Sequence, residues 1–143
     1  MFDQLDELYR DVILDHFKQP RHHGPLADAD LTVEGTNPLC GDEMTLWIKL
    51  DGGRIRAVNF GGKGCAISQA AGSMLTEQLQ GRTLPEAIML VEAMKGLMQG
   101  REPPTEVDLG DLESLAGVRK FPVRVKCAAL SWNVLEQALR DKE

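Results

Sequence analysis

The chain contains three cysteines, Cys40, Cys65 and Cys127, and cysteine is well suited to nucleophilic and metal chemistry. They lie, in order, in a turn before a predicted strand, at a glycine-rich strand-to-helix junction, and where the last helix starts. Peptide dipoles at a helix N-terminus favour the thiolate, which is both the nucleophile and the metal ligand. An odd number of cysteines cannot be fully paired in disulfides. Inert buried thiols, a catalytic thiol and a metal site are the remaining alternatives.

The triplet Cys40-Gly41-Asp42 favours a metal site among these alternatives. Residues i and i+2 of a turn can face one ion, and glycine between them lowers the conformational cost of the turn. With Cys65 and Cys127, they would supply three sulfurs and one oxygen, a tetrahedral donor set for Zn²⁺ with sulfurs at about 2.3 Å. The cysteines are far apart in sequence, so the fold must bring them together. Taken alone, Asp42 would be an ordinary solvated turn residue.

Other polar and glycine residues near the cysteines allow weaker predictions. The run Gly61-Gly62-Lys63-Gly64 lacks the spacing of a phosphate-binding loop, so we expect these glycines to let Cys65 approach the site. Arg124 and Lys126 alternate with valines, which predicts that they share one face near Cys127. There they would offset negative charge or engage a partner's acids; an ordinary exposed edge is the alternative. The histidines lack metal-like spacing and are expected on the surface or in loops: His16, His22 and His23.

Hydrophobic periodicity predicts an α+β fold, with an N-terminal helix, a small antiparallel sheet of about three strands, and C-terminal helices packed on it. Strands are predicted through Leu31 and Val33, over 44–50 and over 54–60. Gly52-Gly53 predicts a hairpin turn, and the adjacent Ala57 and Val58 indicate a bulge. Helices are predicted over these segments: 3–18, from Cys65 to Gly81, from Thr83 to Gly100, from Asp111 to Gly117, and after Cys127.

Charge and composition exclude several functional classes. Sixteen basic against twenty-two acidic residues give a net charge of −6, which argues against binding to nucleic acid or anionic lipid. No apolar run approaches the roughly 20 residues of a membrane span, and the N-terminus has no apolar signal-peptide region. The 143 residues fit one domain. We therefore expect a single cytoplasmic domain over residues 1–143, with no membrane or nucleic-acid partner.

Five motifs are distributed over nearly the whole chain: Leu8-Tyr9 through Asp15-His16 with Pro20-Arg21, Asn37-Pro38-Leu39-Cys40-Gly41-Asp42, Gly62-Lys63-Gly64-Cys65-Ala66-Ile67-Ser68, Phe121-Pro122-Val123-Arg124-Val125-Lys126-Cys127, and Leu130-Ser131-Trp132. Through these motifs the sequence resembles the SufU-type branch of the IscU/NifU-N family of iron–sulfur cluster assembly proteins over nearly its whole length. Two features are similar to SufU rather than to IscU: Lys126 stands where IscU-like chains have a histidine before the third cysteine, and an extra segment spans roughly residues 100–120.

The resemblance implies a zinc site and a protein partner. The implied partner is a PLP-dependent cysteine desulfurase of the SufS type, and iron–sulfur assembly or sulfur-accepting proteins would act downstream. Cys40 would be the sulfur acceptor, released from zinc when a histidine of the desulfurase replaces it, and Arg124 matches a family arginine associated with docking. The implied zinc ligands are Cys40, Asp42, Cys65 and Cys127.

Two alternatives remain open at this point. Thiolates also bind iron and iron–sulfur clusters, so the same ligands could hold a [2Fe–2S] cluster on a scaffold protein. In the other alternative, zinc is structural and the chain is an adaptor that activates its partner without accepting sulfur.

Overall fold

The computed structural model describes residues 7–142 and confirms the predicted α+β architecture. Residues 3–6 of the predicted first helix lie outside the described residues. A 3-10 helix over Gly110–Lys120 precedes the last α-helix. The other elements, in chain order, are α1 (Glu7–Lys18), β1 (Leu31–Asn37), β2 (Asp42–Asp51), β3 (Arg54–Lys63), α2 (Ala66–Leu79), α3 (Leu84–Met98) and α4 (Pro122–Lys142).

The three strands form one antiparallel sheet in the order β1-β2-β3. Gly52 and Gly53 join β2 to β3 with φ of +58° and +78°, the left-handed pair that a tight two-residue hairpin requires. The expected bulge is present: the register shifts between Lys49 and Leu50, which leaves Arg56 as an extra residue on β3. The hairpin turn and the bulge together fix which side chains of β2 and β3 face the helices.

The core lies between one face of the sheet and the helices α2 and α4. Alternate residues of β2 are buried, as a strand with one solvent-exposed face requires. Glycines allow close approach on this face: a Cβ on Gly72 of α2 would lie 2.8 Å from the ring of Phe60. The apolar side chains of the sheet that are fully buried or nearly so are Met44, Leu46, Ile48, Ile55, Val58 and Phe60.

The segment predicted as a short helix closed by Gly117 is instead a 3-10 helix that continues to Lys120. Leu109, not Asp111, precedes its first residue. The buried residues Leu112, Leu115 and Val118 recur at every third position, which matches the three residues per turn of a 3-10 helix. The apolar spacing therefore explains both its conformation and its length.

His16, expected at the surface, is fully buried, so that prediction was wrong. Its Nδ1 lies 2.7 Å from the hydroxyl of Ser73 on α2, and its Nε2 lies 2.8 Å from a carboxylate oxygen of Asp111 on the 3-10 helix. Each such hydrogen bond contributes about 1 kcal/mol net. His16 thus links α1 to two other elements, whereas His22 is half-buried and His23 exposed in the loop after α1.

Candidate metal centre

The Cys40 turn is a four-residue loop between β1 and β2. Asn37, the last residue of β1, pairs across the sheet with Asp42, the first residue of β2. The backbone N–H of Cys40 donates to the carbonyl of Asn37 at 3.2 Å, and Gly41 has a φ of +69°. The left-handed glycine closes the loop, as the sequence predicted. Cys40 and Asp42 are thereby placed at the same end of the sheet, with Cys40 partly exposed.

The glycine-rich junction after β3 brings Cys65 beside Asp42. Cys65 directly precedes α2, and its backbone N–H donates to Oδ1 of Asp42 at 2.9 Å. A Cβ on Gly64 would lie 2.5 Å from the same carboxylate oxygen and would also collide with the Ser68 hydroxyl. Glycine is therefore required at position 64 for this close approach, in agreement with the role expected from the sequence.

Helix α4 supplies Cys127 from its second turn. The Cys127 side chain is fully buried, and its sulfur lies 2.8 Å from the sulfur of Cys40. One donor atom from each of Cys40, Asp42 and Cys127 lies within 4.8 Å of the other two. Two residues of one turn and a third from the last helix therefore meet at one point.

Cys65 is adjacent to this group of three donor atoms but outside it. Its thiol lies 3.9 Å from the hydroxyl of Ser68 on the first turn of α2. The structure therefore assembles three of the four predicted ligand residues within 4.8 Å and holds the fourth through its backbone contact with Asp42.

The carboxylate of Asp42 shows that this cluster suits a cation. Asp42 is 1% exposed; Oδ1 accepts the Cys65 N–H, whereas buried Oδ2 has no hydrogen-bond partner within residues 7–142. A buried carboxylate oxygen without a partner is costly, and a metal ion at the adjacent thiols would satisfy it. Thiolates with one carboxylate are a donor set that zinc accepts. The residues present therefore fit the zinc ion that the sequence suggests.

The pKa shifts of Cys127 and Arg124 also indicate that the group of thiols favours a nearby positive charge. Burial of Cys127, its hydrogen bond with Cys40 and the nearby charge of Cys65 raise the pKa of the Cys127 thiol well above its usual range. Burial lowers the pKa of Arg124, but its interactions with the thiols of Cys127 and Cys65 outweigh this and raise that pKa. Arg124 is thus a cationic side chain whose charge interacts with these thiols.

The predicted shared face of Arg124 and Lys126 is wrong, because the segment is helical. α4 starts at Pro122, and two residues apart on an α-helix point about 200° from each other. Arg124 interacts with the thiols, whereas Lys126 is exposed. The alternation with valines has the period of a strand. Proline, however, is favourable at the first position of a helix, and Pro122 occupies that position in α4.

Asn37 is a site residue that sequence reasoning did not identify. Its side-chain nitrogen lies 3.7 Å from the sulfur of Cys127, and the residue is only 7% exposed. The Asn-Pro pair indicated only a turn. Its contact with Cys127 depends on the packing of α4 against the sheet, which a local pattern does not reveal.

A second group of potential ligands, His16, Glu77 and Asp111, is not assigned as a metal site. Both ring nitrogens of His16 have hydrogen-bond partners, and Arg21 Nε lies 3.8 Å from Glu77. Hydrogen bonds and an ion pair within the protein therefore already satisfy these side chains. Across residues 7–142, no helix combines the length and apolar character needed to cross a bilayer.

Comparison with known proteins identifies relatives along nearly the whole chain. Residues 8–141 match the family described as NifU-like N terminal domain. The zinc-dependent sulfurtransferase SufU of Bacillus subtilis (strain 168) is 45% identical over 139 residues, covering 97% of this chain and 94% of that protein. The iron–sulfur cluster assembly scaffold protein IscU of Streptococcus pyogenes serotype M1 is 43% identical, covering 96% of this chain and 86% of that protein.

A solved structure shares the fold closely. It is the crystal structure of a proposed iron–sulfur cluster assembly scaffold protein for the SUF system from Fervidobacterium islandicum AW-1. It superposes with a TM-score of 0.85 at 40% identity, covering 90% of this chain and 94% of that one. The chain therefore belongs to the NifU-like N-terminal domain family, the IscU/NifU-N family that its motifs resemble.

Proposed function

We propose that this protein is a zinc-dependent sulfur-transfer protein that accepts persulfide sulfur from a cysteine desulfurase for iron–sulfur cluster assembly. The observation that carries the proposal is the convergence of Cys40, Asp42 and Cys127, with the Cys40 sulfur on a partly exposed turn. The 45% identity to a protein named zinc-dependent sulfurtransferase supports it. Cys127 is fully buried and cannot meet a partner's persulfide, and of the two partly exposed thiols, Cys40 is the one that the family resemblance implies as the acceptor.

The transfer is a thiol–disulfide type of exchange. The Cys40 thiolate attacks the outer sulfur of the desulfurase cysteine persulfide and forms a new sulfur–sulfur bond. The bond between the two partner sulfurs breaks, and its electron pair leaves on the desulfurase cysteine as a thiolate. Cys40 then carries the persulfide, and no external oxidant or reductant is consumed.

Four residues of the chain would hold the zinc ion: Cys40, Asp42, Cys65 and Cys127. When bound, zinc keeps thiols deprotonated at neutral pH without redox chemistry of its own. Asp42 orients the site through its contact with the Cys65 N–H, and Arg124 offsets the charge of the thiolates. Lys126, which is exposed, is proposed to contact acidic groups of the partner rather than the sulfurs.

The partner we propose is a PLP-dependent cysteine desulfurase of the SufS type, with sulfur-accepting assembly proteins downstream. Leu39, next to the acceptor Cys40, is 62% exposed, and Val123, one turn before Cys127, is 54% exposed. Leu39 thus offers a partner an uncharged contact beside Cys40, and Val123 offers one near Cys127. Free thiols suit a reducing compartment, so we propose that the protein acts in the cytoplasm. We also propose that residues 1–143 act as one domain.

A scaffold for a [2Fe–2S] cluster is the second candidate function. The 43% identity to a protein named IscU scaffold supports it, and cysteine thiolates suit both zinc and iron–sulfur clusters. Iron near stoichiometric amounts, with visible absorption in the purified protein, would favour this candidate over the zinc-dependent transfer.

Mass spectrometry of trapped persulfides tests the transfer directly. Zinc-loaded protein is incubated with a cysteine desulfurase and cysteine, alkylated, and digested. We expect one extra sulfur atom on the Cys40 peptide and none on the peptides of Cys65 or Cys127. Omitting cysteine is the control. Repeated failure to trap any persulfide, while the desulfurase is still activated, would instead support an adaptor with structural zinc.

A further inference from the structure

Asn37 contacts Cys40 and Asp42 at the two ends of the Cys40 turn and reaches across to α4. Its backbone carbonyl accepts the Cys40 N–H at 3.2 Å, and it pairs with Asp42 across the sheet. Its side-chain amide, almost fully buried, is directed at Cys127, with Nδ2 3.7 Å from the sulfur. The backbone of Asn37 thus stabilises the turn, whereas its side chain contacts Cys127 on α4.

The sulfurs of Cys40 and Cys127 differ in their hydrogen-bond donors. Cys127 receives the Asn37 amide and interacts with Arg124. Cys40 has only the Cys127 sulfur as a side-chain partner among the residues that the structure describes. Two touching sulfurs therefore have unequal surroundings: one is buried with N–H donors, and the other is partly exposed without them.

This inequality has a chemical consequence for thiolates. An N–H donor to an anionic sulfur stabilises the charge and withdraws electron density, which lowers the nucleophilicity of that sulfur. A sulfur without such a donor remains more electron-rich and more reactive. Outer residues that hydrogen-bond to metal ligands also fix the orientation of those ligands.

We propose that Asn37 is a positioning residue that holds the Cys127 thiolate in the metal site and leaves Cys40 as the reactive sulfur. The inference rests on the zinc site of the proposed function and adds to it a reason why one thiolate stays bound while another reacts. Asn37 does not contact the incoming sulfur; it acts through the Cys127 thiolate.

The test uses cobalt(II) in place of zinc, because thiolate-to-cobalt charge-transfer absorption reports the electron density on the sulfurs. Asn37→Leu replaces the amide with an apolar group of similar size, and Asn37→Ser is a second variant whose hydroxyl is too short to reach Cys127. Thr36→Ala is the matched control, because Thr36 is exposed one residue earlier on the same strand. None of these changes removes the backbone hydrogen bond that forms the turn.

We expect the charge-transfer band of the Asn37 variants to shift to lower energy, because the thiolate becomes more electron-rich without its donor. We also expect a chelator to remove zinc from these variants about 10-fold or more faster than from the wild type. Thr36→Ala should match the wild type in both measurements. A purely structural role for the amide would not predict a shift of the band in variants that bind stoichiometric cobalt.

If both Asn37 variants show the band energy and the zinc release rate of the wild type, the inference is overturned and the proposed function stays intact. A wild-type protein that binds neither zinc nor cobalt through its thiols would overturn the proposed function and the inference together. The two failures are therefore distinguishable in one set of samples.

Discussion

Replacing Cys40 by alanine is expected to abolish the stimulation of a cysteine desulfurase by this protein. Without an acceptor sulfur, the persulfide stays on the desulfurase, and turnover should fall to the rate measured in the absence of this protein. The loss removes a nucleophile rather than weakening a contact, so even a large excess of the variant should not restore turnover. Sulfide or alanine release under steady-state conditions is the measurement.

Two further variants make the Cys40 experiment specific. Cys40→Ser keeps the size and polarity of the side chain but offers no sulfur, so it should fail as the alanine variant does. Thr36→Ala, exposed on the preceding strand, should stimulate like the wild type. Wild-type stimulation by Cys40→Ala would refute the acceptor role and leave an adaptor that activates its partner.

Removing zinc is expected to lower the melting temperature by about 8 °C. An ion that binds the folded chain but not the unfolded one stabilises it by about 2.7 kcal/mol when free zinc is roughly 100 times Kd. For a domain of this size, each kcal/mol shifts the melting temperature by about 3 °C. Thermal unfolding followed by circular dichroism, with and without a chelator, measures the shift.

The Asp42→Asn variant separates the effect of the metal from that of the fold. Asparagine can still accept the Cys65 N–H through Oδ1, but it lacks the charged oxygen that is buried without a partner. We expect its chelator-induced shift to be much smaller than that of the wild type, with similar zinc-free melting temperatures. Equal melting temperatures of the wild type with and without chelator would contradict a zinc site assembled within this chain.

Local patterns were sufficient to predict the sheet, its turns and the helices on either side of Gly81. Gly52-Gly53 predicted the hairpin, and Thr83 with Glu86 predicted a helix start, which the structure confirms as a reciprocal capping box. These features depend on interactions between residues close in sequence, such as a left-handed turn or a side chain capping its own helix.

The features that sequence reasoning missed depend on packing between distant elements. The burial of His16 follows from partners on α2 and on the 3-10 helix, 57 and 95 residues away. Because these partners lie on other elements, the sequence around His16 carries no local sign of its burial. The helix predicted from Asp111 to Gly117 did not include Val118, although Leu112, Leu115 and Val118 have the spacing of three that is the period of a 3-10 helix.

The structure brings three of the four predicted ligand residues together, Cys40, Asp42 and Cys127, through a geometry that the sequence did not reveal. Gly41 has the left-handed conformation that the Cys40-Gly41-Asp42 triplet indicated, and Asp42 is buried beside Cys40 and Cys127. The contact of Asn37 with Cys127 and the helical start of α4 arise where the last helix packs against the sheet edge, far along the chain. Which thiols actually bind one ion is therefore a question of tertiary structure.

Zinc K-edge X-ray absorption of the zinc-loaded protein tests that question most directly. The account predicts one zinc ion per chain with three sulfur neighbours at about 2.3 Å and one oxygen at about 2.0–2.2 Å. Three sulfurs require the Cys65 thiol to join those of Cys40 and Cys127 at the ion. A first shell of nitrogen and oxygen, or one with fewer than three sulfurs, would contradict the four-ligand centre.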